Sequence, residues 1–163
     1  IDEGNTFEIE KFQWVTGAPL ALGAFKKAGI PVFIVTNQGG IGRGVFTLDD
    51  MRLFHQHLTK MARSVGGEIQ DIAFCPHHPL AVTKALKTPC RCRKPKPGLF
   101  FDLADKWHLD LSQSVMIGDR HSDVEAGRRA GCHSYLFDGH DLNQLAQQII
   151  YKHFHSNRKK HEV

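Results

Sequence analysis

The sequence predicts a single α/β domain: a doubly wound, mainly parallel sheet with a metal-stapled loop. Three observations predict it. Short apolar runs of strand length alternate with helical segments. The runs at 31–36 and 114–118 are continuously apolar, as parallel strands covered on both faces must be. The second run delivers a carboxylate, Asp119, at its C-terminal end, where open α/β sheets place their ligands.

In chain order, residues 1–17 are mixed and polar, with Phe12, Trp14 and Val15 as the anchors. A helix is expected over 19–27, with Leu20, Leu22 and Phe25 apolar and Gly29 as its stop. The strand at 31–36 breaks into Asn37-Gln38-Gly39-Gly40-Ile41-Gly42-Arg43-Gly44, a glycine-rich loop whose backbone can approach a ligand closely. Thr47 is placed to cap the next helix, with Asp49 and Asp50 in the first turn, where the helix dipole favours negative charge. Met51, Phe54, Leu58, Met61 and Val65 give that helix one apolar face, and Gly66-Gly67 ends it. A strand at 69–74 leads into a long irregular region. There follow a helix at 98–107, the strand at 114–118, a helix at 122–129 stopping at Gly131, a short strand at 133–137 and a last helix from 141 to about 154. Leu142, Leu145, Ile149 and Ile150 form the buried side of the last helix. Residues 1–154 are one domain; the basic, histidine-rich stretch 155–163 is read as a tail.

Composition agrees. With 163 residues, 41% hydrophobic and 23% charged, the chain suits one domain with its own core. A net charge of +4 leans toward anionic ligands but is spread out. The expected partner is a small phosphorylated molecule, not nucleic acid, because no aromatics flank the basic run. No run reaches membrane-spanning length, and the acidic opening is not a signal peptide. Four cysteines, three of them clustered, suggest a reducing compartment, so a cytoplasmic location is expected; a monomer is expected as well.

Cys75-Pro-His77 and Cys90-Arg-Cys92 form two close pairs of soft or borderline ligands, a set suited to a closed, tetrahedral, structural Zn²⁺ site. Buried thiols beside a surface histidine are the plainer alternative, and His78 competes with His77 as the ligand. Cys132 reads as ordinary core. Arg91, Arg93, Lys94 and Lys96 are a solvated charge run or a phosphate pocket. The pocket is favoured because Cys92, Pro95 and Pro97 pin the run and it opens a helix whose dipole attracts anions. Thr36 at a strand end offers a hydroxyl above such a pocket. Asp119 suits Mg²⁺, which takes carboxylate oxygen and keeps substrate phosphate around it. Asp123, in the first turn of the next helix, suits capping duty.

Val35-Thr-Asn-Gln-Gly-Gly-Ile-Gly-Arg-Gly44, Cys75-Pro-His-His-Pro79, Cys90-Arg-Cys-Arg-Lys-Pro-Lys-Pro-Gly98 and Ile117-Gly-Asp-Arg-His-Ser-Asp123 together resemble the haloacid dehalogenase (HAD) superfamily of phosphatases, which implies a HAD-like, Rossmannoid α/β fold. Within it they resemble the heptose-1,7-bisphosphate 7-phosphatases, whose relatives are the histidinol-phosphatases. The resemblance implies catalytic roles for Thr36 (phosphoryl contact), Arg93 (substrate orientation), Lys94 (charge neutralisation) and Asp119 (Mg²⁺). It implies substrate contacts at Asp2, Glu3, Gly4, Asn5, Asn37, Gln38, Gly39 and Arg120, and zinc ligation by Cys75, His77, Cys90 and Cys92.

Two departures stand out. Gly39 and Arg120 fall where serine and lysine are frequent in the family. The family's first strand, ending in Asp-x-Asp with the nucleophile and the general acid-base, has no counterpart in this sequence. That strand is central in the family's fold, between the strands ending at Thr36 and Asp119. Its absence leaves buried backbone groups unpaired at about 1–3 kcal/mol each. The expectation is that these residues neither fold alone around an empty slot nor turn substrate over.

Overall fold

Two parallel strand pairs form the centre of the structure, a computed structural model that describes residues 7–155. Strand β1 (Phe33–Asn37) pairs with β2 (Asp71–Cys75), in register from Phe33 opposite Asp71 to Asn37 opposite Cys75. Strand β3 (Val115–Gly118) pairs with β4 (His133–Leu136), from Val115 opposite His133 to Gly118 opposite Leu136. The two pairs are separate sheets, and β1 does not pair with β3.

Both inner strands nevertheless serve the same two apolar layers. On one side Val115 and Ile117 of β3, with Val32 just before β1, meet helices α1 (Ala18–Lys27) and α7 (Leu142–Ile149) around Ala21, Phe25, Ala146 and Ile149. On the other side Val35 of β1 and Met116 of β3 meet α5 (Gly98–Trp107) and α6 (His121–Ala130) around Phe100, Ala126, Ala130 and Cys132. The alternation of Val115, Met116 and Ile117 between layers is the two-residue period of a strand covered on both faces. Gly127 lets α6 lie close, since a Cβ there would stand 2.6 Å from the Met116 Cβ.

The remaining helices are α2 (Gly39–Gly42), α3 (Leu48–Ser64) and α4 (Lys84–Lys87). The glycine-rich stretch expected as a loop contains the single turn α2. Thr47 caps α3 as expected: its Oγ1 accepts from the Asp50 N–H at 3.1 Å, while Asp50 Oδ2 accepts from the Thr47 N–H at 2.8 Å. The helix α1 buries Ala18, Ala21 and Phe25, and Leu20 faces out because it falls off that stripe. Phe12 anchors the N-terminal segment edge-on to Trp14 and Phe54, but Val15 is 52% exposed and anchors nothing apolar. The last helix widens after Ile149 into a π-helix at Ile150–His155. No helix among the described residues is long and apolar enough to cross a membrane.

Candidate active site

The C-terminal ends of β1 and β3 open into one cleft of about 420 Å³. Its lining brings together Thr36, Asn37, Gln38 and Gly39 after β1, Arg93 and Lys94 before α5, and Asp119, Arg120, Ser122 and Asp123 after β3. These residues come from three stretches far apart in sequence, gathered because parallel strands deliver their following loops to one edge.

Lys94 sits at the junction of the two sheets. Its Nζ donates to the Val35 carbonyl of β1 at 2.7 Å and pairs with Asp123 Oδ1 at 2.7 Å, with side-chain exposures of 10% and 7% for Lys94 and Asp123. Asn37 fixes the backbone that carries this lysine: its Oδ1 accepts from the Lys94 N–H at 3.0 Å, and its Nδ2 donates to the Lys94 carbonyl at 3.2 Å. The loop itself is closed by the Lys96 N–H on the Arg93 carbonyl at 2.9 Å and the Gly98 N–H on the Arg91 carbonyl at 3.0 Å. Gly98 is required there, because a Cβ would lie 2.4 Å from the Arg91 oxygen.

Of the basic run, only Arg93 and Lys94 line the cleft. Arg91 pairs with Asp102 on α5, and Lys96 Nζ donates to the Cys90 carbonyl at 2.7 Å, so the tight turn sends these two side chains away from it. The expectation of a four-residue cationic pocket is corrected to two. Asp123 does cap α6, accepting from the Arg120 N–H at 3.2 Å, but it is also the buried partner of Lys94, which its position in the first turn did not reveal. Asp2, Glu3, Gly4 and Asn5 lie outside the described residues.

Cys75, His77, Cys90 and Cys92 converge, with one ligand atom from each lying within 4.8 Å of all the others. The Cys75 and Cys90 sulfurs are 3.7 Å apart, and His77 Nδ1 is 3.6 Å from the first and 3.3 Å from that of Cys92. A tetrahedral ion with bonds of about 2.3 Å spaces its sulfurs by roughly 3.8 Å. The Cys75–Cys92 spacing of 2.9 Å is tighter, and no disulfide joins any pair. Burial pushes the Cys75 thiol well up, and the neighbouring Cys92 adds to this, so a cation is what would keep it ionised. The donor set therefore fits a metal. His78 is not part of it: its Nδ1 accepts from the Leu80 N–H at 3.0 Å, and the ring faces the cleft. Cys132 is core, its thiol pushed up to about 11 by burial.

Besides Asp123, three cleft residues, Arg43, His78 and Ser122, escaped the sequence reading as site residues. Arg43 stood inside a motif read for its glycines, and His78 was weighed only as a metal ligand. Gly39 is explained by the same neighbourhood: a Cβ there would meet His78 Cδ2 at 2.8 Å and Arg93 Nη1 at 3.1 Å.

A family model described as "HAD-hyrolase-like" matches residues 91–148. The D-glycero-beta-D-manno-heptose-1,7-bisphosphate 7-phosphatase of Rhodopseudomonas palustris is 39% identical over 141 residues, which is 86% of this chain and 78% of that protein. The D-glycero-alpha-D-manno-heptose-1,7-bisphosphate 7-phosphatase of Burkholderia mallei is 38% identical over 130 residues, 80% of this chain and 69% of that protein. The crystal structure of the D,D-heptose 1,7-bisphosphate phosphatase from B. bronchiseptica, complexed with magnesium and phosphate, matches with a TM-score of 0.80 at 25% identity, covering 92% of this chain and 90% of that one. On these grounds the chain belongs to the heptose-1,7-bisphosphate 7-phosphatase family of HAD-like hydrolases.

Proposed function

We propose that this protein hydrolyses the 7-phosphate of a heptose 1,7-bisphosphate by a Mg²⁺-dependent, two-step phosphoryl transfer. The observation that carries the reading is the buried Lys94, held by Asn37, Asp123 and the Val35 carbonyl at a cleft that also takes in Thr36, Arg93 and Asp119. On this reading Thr36 donates its hydroxyl to a phosphoryl oxygen, Arg93 orients the substrate and Lys94 offsets charge developing between phosphate and nucleophile. Asn37, Gln38, Gly39 and Arg120 complete the substrate's surroundings. Asp119 would hold Mg²⁺, which when bound neutralises charge on the phosphoryl oxygens. The cysteine and histidine set would hold a structural Zn²⁺ that keeps the 75–92 region ordered.

The first step needs a carboxylate that attacks phosphorus, breaking its bond to the sugar's 7-oxygen, which takes a proton and leaves as the hydroxyl; water then cleaves the resulting aspartyl-phosphate, releasing inorganic phosphate and restoring the carboxylate. Among the described residues neither cleft carboxylate is free to attack, since Asp123 is committed to Lys94 and Asp119 is assigned to the metal. We assign the nucleophile to a strand seated between β1 and β3, outside the described residues. Residues 7–155 alone would then hold phosphate without turning it over.

The test is phosphate release by the full-length protein on both anomers of heptose 1,7-bisphosphate and on histidinol phosphate. Mg²⁺-dependent release with kcat/KM at least about tenfold higher on a bisphosphate is expected, and a preference for histidinol phosphate overturns the substrate assignment. Borohydride trapping of the phospho-enzyme followed by peptide mass spectrometry locates the nucleophile. Label on Asp119 or Asp123 overturns the strand assignment.

A further inference from the structure

Strand β1 holds Lys94 at both ends of its side chain. At the far end Nζ donates to the Val35 carbonyl at 2.7 Å, and Asp123 Oδ1 stands at 2.7 Å from the same nitrogen. At the near end the grip comes from Asn37, the last residue of β1 and two residues beyond Val35. Residues two apart share a strand face. Val35 packs its side chain against the layer of Phe100 and Ala126, so Asn37 presents its amide on that face, to the loop that opens α5. There Oδ1 accepts from the Lys94 N–H at 3.0 Å and Nδ2 donates to the Lys94 carbonyl at 3.2 Å. Turned over, the amide would set N–H against N–H and oxygen against oxygen, so this orientation is the one that bonds.

We infer that Asn37 is a positioning residue, whose side chain acts on the reaction through Lys94 and not through contact with the substrate. The inference rests on the phosphatase reading and deepens it. Both amide bonds fall on one residue, and only the Lys94 φ and ψ angles lie between the N–H and the carbonyl they hold. The two bonds therefore set the direction of the Lys94 Cα–Cβ bond, from which the side chain reaches back to Val35. A lysine gives up much rotamer freedom when it is placed, and here the placing is done before substrate arrives. An ammonium already fixed in position stabilises developing charge without reorganising as that charge forms. The rate of phosphoryl transfer thus depends on the Asn37 amide, and the affinity for substrate does not.

The experiment measures kcat and KM for heptose 1,7-bisphosphate in the full-length protein and in its Asn37→Ala and Asn37→Ser variants. Amide hydrogen exchange, followed by NMR, is read at Lys94 and along β4 in the same proteins. In Asn37→Ala kcat should fall by about tenfold to a hundredfold, the range for a reacting group misplaced by roughly an ångström. KM should stay within about threefold, because the lost interaction is one made in the transition state. Asn37→Ser, whose hydroxyl can take up one of the two bonds, should keep more of the rate. The Lys94 amide should exchange faster in Asn37→Ala while the β4 amides keep their protection, a local loosening that general destabilisation would not give. A smaller loss of kcat, a larger shift in KM, or a Lys94 amide that exchanges no faster overturns the inference and leaves the phosphatase reading standing. If the alanine variant does not fold, Asn37→Ser carries the same comparison, with a kcat loss below about threefold as the overturning result. A wild type without Mg²⁺-dependent phosphate release overturns the phosphatase reading and this inference with it.

Discussion

Replacing Lys94 with Met tests how the two half-sheets are joined. The Lys94–Asp123 pair is separated by 2.7 Å and is nearly closed to solvent. At an effective dielectric near 20, such a pair attracts by about 6 kcal/mol. Taking two ions out of water costs several kcal/mol each, so the net worth of the pair against an apolar replacement is small. Breaking it from one side is another matter. Lys94→Met strands the Asp123 carboxylate and removes the donor from the Val35 carbonyl, which should cost about 3–5 kcal/mol. That is a large fraction of the roughly 5–15 kcal/mol by which a domain is stable. Asp123→Asn should cost a similar amount by stranding the ammonium. The double variant, which removes both charges, should recover to within about 1–2 kcal/mol of wild type, giving a coupling energy well outside additivity. Urea unfolding of the full-length protein, followed by circular dichroism, measures all four corners. Phosphate release should fall in every variant and stay low in the double, because the charge that the phosphoryl group needs is gone even where stability returns. A Lys94→Met loss below about 1 kcal/mol, or a double variant that costs the sum of the singles, would refute the argument.

Purified protein should carry about one zinc per chain, a stoichiometry that follows from one four-ligand site; zinc-free protein made without chelator, or a Cys90–Cys92 disulfide, would count against it. Stripping the metal should raise KM for the bisphosphate, since the His77 carbonyl holds Arg93 at 3.0 Å and His78 follows it in sequence. In the stripped protein Cys90, whose burial is outweighed by hydrogen bonds that hold its thiol below the ordinary value, should react with a thiol reagent ahead of Cys75 and Cys132, whose thiols burial pushes up. Gly118→Ala should cost about 1–3 kcal/mol and reduce turnover, because the new Cβ would meet the Asp123 Cβ at 2.2 Å; full activity in this variant would refute the packing argument. Asp71 gives an acid-side signature: burial works to raise its pKa, but hydrogen bonds from Lys106 and Trp107 outweigh it and hold the carboxyl below its ordinary value. Its contribution to stability is present above the unfolded value of roughly 3.9 and is lost as pH falls through the lower folded value. Asp71→Asn should therefore flatten the acid limb of an unfolding-midpoint profile, and an unchanged limb would exclude the group.

Whatever local pattern encodes could be read from the chain without its fold. Continuous apolar runs marked β1 and β3 as strands covered on both faces, Thr47 with Asp50 announced the start of α3, and paired ligand spacing named the Cys75, His77, Cys90 and Cys92 cluster. The motif wording identified Thr36, Lys94 and Asp119 as neighbours, because each motif is short and each follows a strand end or opens a helix. Side-chain direction within a tight turn is another kind of fact. Arg91, Arg93, Lys94 and Lys96 are alike as letters, and only the closed 91–98 turn decides that two enter the cleft and two point to α5 and to the backbone. The pairing of Lys94 with Asp123 and the placing of His78 over Gly39 join residues far apart in the chain. Such contacts are fixed by how sheets and helices pack, where a shift of an ångström changes the partner, and no local period records them.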